Sequence, residues 1–143
     1  MKRRKAREYA LQILFQVDFT EKKIDSKCLE EFWADKRENR DVKEFTEELV
    51  RGTLNRLDEI DTMIESVTEN WLLKRMAVVD RNILRFSAYE ILYRKDIPFA
   101  VTINEAIEIA KKFSSTEAAP FINGVLDRLA KEEGKGYQKE DNR

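Results

Sequence analysis

The first seven residues hold Lys2, Arg3, Arg4, Lys5 and Arg7 and no acid. Arginine forks and lysine ammonium groups at this density are suited to phosphate. They also stand where an apolar helical pattern begins, and a helix amino end favours acids over cations. Helix stability therefore does not account for them. A phosphate at that end would meet both the side chains and free backbone N–H groups. The competing reading is a solvated, frayed tail. Base recognition in single-stranded RNA also calls for planar faces. Tyr9, Phe15 and Phe121 are the candidates, although each also fits a core stripe.

A second group of polar residues sits in an apolar stretch. Asp80, Arg81 and Arg85 lie close to one another at helical spacing. They are either a structural ion pair or a partner-binding edge, and spacing alone does not choose.

Other chemistries are excluded or weak. The chain has 143 residues and no histidine, so histidine general-base catalysis is impossible. Its one cysteine, Cys28, has no histidine partner and cannot form a disulfide within the chain. With one Cys and no His, no metal site and no cofactor are expected. The few glycines stand at 52, 124, 134 and 136, which fits no phosphate loop or dinucleotide fingerprint. No apolar run approaches the length of a membrane span, and residues 6–17 are too interrupted for a signal peptide. A non-enzymatic, cytoplasmic protein is the expectation. The formal charge is −1 overall, but residues 8–143 hold 22 cations against 28 acids, a balance of −6. Segregated charge of this kind makes an electrostatic footprint.

The elements that must position these groups read as helices. Gly and Pro number only 4 and 2, too few for an all-β fold. Ala6, Tyr9, Ala10, Ile13, Leu14 and Val17 form a buried stripe on a helix over about residues 3–19. A short helix follows Asp25 or Ser26, carrying Leu29, Phe32 and Trp33. Asp41 and Glu44 predict a capping box opening a long helical pattern to Val67, with a kink or break near residues 58–61. Trp71-Leu72-Leu73 reads as the join between halves. Residues 77–94 carry apolar side chains around much of the circumference and predict a central helix, ended before Pro98. Thr102 to Glu105 predicts another capping box. A last helix begins near Ala118 and ends at Gly134 and Gly136. The expectation is an all-α fold of about seven helices, one domain over 1–143. Its approximate halves are 1–70 and 71–133, with a mobile tail at 134–143.

Several segments in order make the chain resemble the NusB family. They are Arg3-Arg4-Lys5-Ala6-Arg7-Glu8, then Val79-Asp80-Arg81-Asn82-Ile83-Leu84-Arg85, then Ile103-Asn104-Glu105-Ala106-Ile107, then Phe121-Ile122-Asn123-Gly124-Val125-Leu126-Asp127. The resemblance implies two packed three-helix bundles plus an extra helix. It implies a transcription antitermination factor that binds the boxA element of nascent ribosomal RNA transcripts as a heterodimer with NusE, a small-subunit ribosomal protein. The pair then joins an antitermination complex on RNA polymerase. By the same resemblance Arg3, Arg4, Lys5 and Arg7 hold phosphates, and Lys112, Phe121 and Asn123 line the RNA path. Asp80 and Glu117 face NusE. Two departures bear on the last helices: Pro120 stands where the family often has lysine, and Ser114 follows Phe113 where glycine or alanine is common. Two rival readings are a detached front domain of an RNA cytosine methyltransferase and a protein-interaction bundle that binds no RNA. Exposed apolar area on the first helix allows a homodimer when NusE is absent.

Overall fold

The computed structural model describes residues 3–21, 23–69 and 71–141, with side chains through Gly134. Lys2 therefore lies outside the described residues. Among those described there are seven α-helices, one short 3-10 turn and no strand. They are α1 (Arg3–Thr20), α2 (Ser26–Trp33), α3 (Arg40–Asn55), α4 (Leu57–Val67), α5 (Val78–Tyr93), α6 (Phe99–Phe113) and α7 (Ala118–Asp141), with the 3-10 turn at Leu73–Arg75 before α5. No described helix is long and apolar enough to cross a membrane.

The all-α expectation holds. One bundle has α1 packed on α3, with α4 following; the other is α5, α6 and α7. They join through α5, which packs against α1, α3 and α4 as well as its own partners. Its sequence explains that place. Ile83, Leu84, Phe86, Ala88 and Ile91 point to more than one side of the helix, and all are fully buried. Gly52 lets α3 approach: a Cβ there would lie 2.2 Å from the Tyr89 ring.

Helix ends follow local chemistry, with four differences from expectation. Asp25 caps α2 as predicted, its carboxylate accepting from the Cys28 N–H at 2.9 Å. The capping box at Asp41 and Glu44 does not form. The helix starts a residue earlier, and Glu44 instead accepts from Arg40 Nε at 2.9 Å. The break between α3 and α4 falls at Arg56, which leaves helical geometry at φ −123° and ψ 27°. The Thr102 box does not form either. Proline at 98 starts α6 earlier, with the Thr102 N–H bonded to the Pro98 carbonyl, and Thr102 lies inside the helix. Finally, Gly134 and Gly136 do not stop α7, which continues to Asp141. At its other end Pro120 sits in the first turn, where proline lacks only an N–H that has no intrahelical partner, and Ser115 Oγ accepts from the Ala118 N–H at 3.0 Å.

Candidate nucleic-acid interface

The basic segment forms the first two turns of α1, and its cations have separate fates. Arg7 turns inward. It is 2% exposed, and its guanidinium grips the fully buried Glu90 of α5 through Nε–Oε2 at 2.7 Å and Nη2–Oε1 at 2.8 Å. Thr102 Oγ1 donates to the same carboxylate at 2.9 Å. A guanidinium fully used this way has no surface to offer RNA, so the expectation that Arg7 holds a phosphate is corrected. Its role is to lock α1 onto α5 and α6.

Arg4 and Lys5 are exposed, and Arg3 is half-buried at the surface. Arg3 lies over the Phe45 ring, 4.6 Å from its centroid, and Lys5 over the Tyr9 ring at 5.0 Å. Arg4 donates to Glu105 of α6 at 2.5 Å, with about half of its side chain still open to water. The hydrogen bond and charge of Glu105 raise the Arg4 pKa above its ordinary value. One turn on, Glu8 is nearly buried and accepts from Lys112 Nζ at 3.1 and 3.2 Å, while Lys112 itself is 61% exposed. The first turns of α1 and the middle and end of α6 thus share a seam in which Arg4 faces Glu105 at mid-helix and Glu8 faces Lys112 near the helix end. The structure brings Lys112 to the basic amino end of α1. From the sequence neither Glu8 nor Glu105 is expected as a site residue; Glu105 reads only as part of a capping box. The only signal was the i, i+4 spacing of Arg4 and Glu8.

The aromatic candidates divide. Tyr9 is 7% exposed and packs edge-on against Phe32 and Trp33, with ring centroids 5.8 and 5.0 Å away. Its hydroxyl donates to Glu38 at 2.5 Å. Burial and that hydrogen bond push the phenol pKa up to about 12. A ring so enclosed cannot stack on a base, so Tyr9 is corrected to a core residue. Phe15 stays at the surface, stacked on the exposed Phe19 at 6.1 Å. Phe121 is half-buried against Trp71, with centroids 5.9 Å apart. Asn123 is exposed. At about 100° per residue, Phe121 and Asn123 sit about 200° apart around α7, so they do not face one groove from the same side.

The polar group on α5 is an internal network. Arg81 donates to Asp18 of α1 at 2.6 and 2.8 Å, and Arg85 bridges Asp18 at 3.0 Å and Asp61 of α4 at 2.9 Å. Asn82 adds a donor to Asp18 at 3.0 Å. Burial penalises the Asp18 charge. The hydrogen bonds from Arg81 and Asn82, with Arg85 beside them, outweigh that and hold its carboxyl below the usual range. Asp80 stands apart from this network. One of its carboxylate oxygens is buried with no hydrogen-bond partner. Glu117 is exposed in the turn before α7. Among the described residues, no group of three or more Cys, Asp or Glu side chains is placed to hold a metal.

Comparison with known proteins places the chain in a family. The model of the NusB family matches residues 4–131. The chain is 52% identical to the transcription antitermination protein NusB of Thermodesulfovibrio yellowstonii, covering 93% of this chain and 94% of that protein. It is 50% identical to the protein of the same name from Desulfitobacterium hafniense, covering 97% and 95%. A solved structure of T. maritima NusB superposes with a TM-score of 0.84 at 42% identity, over 92% of each chain. A chain from a crystal structure of antitermination factors NusB and NusE in complex with dsRNA superposes with a TM-score of 0.82 at 27% identity, over 92% of this chain and 98% of that one. With the family model spanning most of the chain and relatives half identical across its length, this chain belongs to the NusB family.

Proposed function

We propose that the chain is a non-enzymatic, cytoplasmic RNA-binding transcription antitermination factor. It engages boxA RNA as a heterodimer with the ribosomal protein that acts as NusE, and the pair enters the antitermination complex on RNA polymerase. The observation that carries the RNA reading is the rim of exposed cations at the start of α1 and the end of α6. The first turn of α1 holds no acid. Its Arg4–Glu105 pair is solvent-exposed, and pairs of that kind are worth about 0–1 kcal/mol. An RNA phosphate can replace the carboxylate at little cost and gain a charge-assisted hydrogen bond. The buried Arg7–Glu90 pair cannot be exchanged in this way. Arg3, Arg4, Lys5 and Lys112 hold phosphates in this reading, with Lys2 beside them in sequence and Phe121 continuing the path on α7; Asn123, on the far side of that helix, stands outside it.

The partner face is assigned to Asp80 and Glu117. Asp80 is half-buried near the start of α5 and Glu117 is exposed in the turn before α7, and in this reading both acids face donors of the partner. The exposed Phe15–Phe19 stack on α1 supplies apolar area for a protein partner, a second copy of the chain included when NusE is absent. Titration with boxA-like and scrambled RNA, with and without NusE, tests the reading. Tighter binding of the boxA-like RNA with NusE present supports it; equal, weak binding of both RNAs under all conditions refutes it.

A further inference from the structure

The connection between α4 and α5 presents an aromatic ring and two cations to water, and none of the three is engaged in an ion pair among the described residues. Trp71 is 56% exposed. Its position is not loose. Thr68 Oγ1 donates to the Trp71 carbonyl at 2.8 Å, and the Leu73 N–H donates to the Glu65 carboxylate at 2.9 Å. Leu73 and Met76 are buried, three residues apart on one side of the 3-10 turn. Lys74 and Arg75 between them are therefore turned outward, and both are exposed. The nearby acids are already engaged. Glu65 holds the Leu73 N–H, Glu69 pairs with Arg128 at 3.8 Å, and Asp18 and Asp61 pair with Arg81 and Arg85.

The adjoining flank of α7 is open. Trp71 leans on Phe121 at a tilt of 58°. Gly124 follows Phe121 by three residues on the same side of α7, and a Cβ at Gly124 would meet nothing within 4 Å. Glycine weakens a helix interior. Neither a positive φ nor a close neighbour within the chain calls for it there. Glycine in such a place suits close approach of a ligand to the helix backbone.

We propose that residues 71–75 and Gly124 form a second RNA-binding strip. Trp71 stacks on an unpaired base, Lys74 and Arg75 hold the flanking phosphates, and the sugar-phosphate chain passes over Gly124. The proposal rests on the RNA reading above and extends its path from Phe121. A ring flanked by unpaired cations matches single-stranded nucleic acid. What favours RNA over a protein face is the pair of outward cations without an ion-pair partner among the described residues beside the ring, since each such charge can neutralise one backbone phosphate.

Binding of a labelled boxA-like single-stranded RNA to the full chain tests this, with intrinsic fluorescence as a second readout. Trp33 is buried and Trp71 is open, so comparing the parent with Trp71→Phe isolates the Trp71 signal. RNA is expected to quench the parent emission and leave that of Trp71→Phe almost unchanged. Trp71→Ala lowers affinity by about tenfold, and Trp71→Phe retains most of it. Lys74→Ala with Arg75→Ala flattens the salt dependence by roughly 0.7 in slope for each phosphate no longer neutralised. Thermal melts check that each variant is folded, and the cation variants carry the test if Trp71→Ala is not. If the parent binds RNA while all these variants keep its affinity, slope and quenching, the strip is overturned and the RNA reading stands. If the parent does not bind RNA, both fall. Loss of NusE affinity with RNA affinity intact assigns the strip to protein and overturns the proposal.

Discussion

Arg7 on α1 and Glu90 on α5 form a two-pronged ion pair from which water is excluded, with the carboxylate also accepting from Thr102 on α6. Three helices are tied at one point. Removing one member leaves a buried charge unmatched. Arg7→Ala is therefore expected to destabilise the fold by about 3–5 kcal/mol. Arg4→Ala, at the surface one turn away, is expected to change stability by no more than about 1 kcal/mol. Paired thermal or urea melts separate the two. Equal losses would contradict the division between a structural and a surface arginine.

The acid side of the stability curve is set by paired carboxylates. Asp18 is held low within the Arg81–Asn82–Arg85 network, and Arg94 holds Asp96 at about 2. A folded-state pKa below the unfolded one contributes stability above the unfolded value, about 3.9. That contribution is lost as pH falls through the folded value. Stability should drop below about pH 4. Between about pH 5 and 8 it should stay nearly flat, because the chain has no histidine. Asp18→Asn should lower stability at neutral pH and weaken the acid dependence. Denaturant melts across pH check both, and an unaltered acid arm in Asp18→Asn would show that this network does not set it.

Tyr9 contributes to the alkaline side, together with Tyr89 and Tyr93, whose phenol pKa values burial also raises. The folded pKa of Tyr9, about 12, exceeds the ordinary value of 10.0 because burial and Glu38 favour the neutral phenol. The stabilisation is complete below about pH 10 and lost as pH rises through about 12. Tyr9→Phe should be less stable than the parent at neutral pH by about 1 kcal/mol, the worth of one hydrogen bond. It should also unfold less steeply with alkali. A parallel alkaline dependence in the two proteins would contradict this.

Much of the fold was legible because apolar residues recur at helical spacing. The stripe of Ala6, Tyr9, Ala10, Ile13 and Leu14 placed α1, and the all-round apolar character of residues 83–91 placed α5 at the centre. Helix starts were less legible. Asp41 with Glu44 and Thr102 with Glu105 have the right spacing for caps, but Pro98 fixes an earlier start for α6 and Glu90 claims the Thr102 hydroxyl. The end of α7 was not legible, because two glycines weaken a helix without being bound to stop it. In the site, charge alone could not tell Arg7 from Arg4. Their difference lies in Glu90 and Glu105, about a hundred residues away in sequence for Arg4 and over eighty for Arg7. Periodicity did warn that Tyr9 fits a core stripe, and packing decided it.

Gly124→Ala should separate stability from binding. Alanine fits the open space and favours the helix, so the variant should be more stable by about 0.5–1 kcal/mol. Its RNA affinity should fall, because the new methyl group holds the ligand away from α7. Melts and RNA titration of the same preparation read both signs. Unchanged RNA affinity would leave Gly124 outside the RNA-binding surface.

Asp80→Lys should lower affinity for NusE while the fold is kept, since a cation replaces the unpartnered carboxylate at the assigned partner face. Calorimetric titration with NusE measures it, and unchanged affinity would remove Asp80 from the interface.

The most direct measurement is the salt dependence of boxA RNA affinity for the parent and for the combined Arg3→Ala, Arg4→Ala and Lys5→Ala variant. If the surface cations of α1 hold the RNA backbone, the variant binds more weakly at the same melting temperature, and its slope falls by roughly 0.7 for each phosphate no longer neutralised. Identical affinity and slope for the two proteins at every salt concentration would contradict that claim.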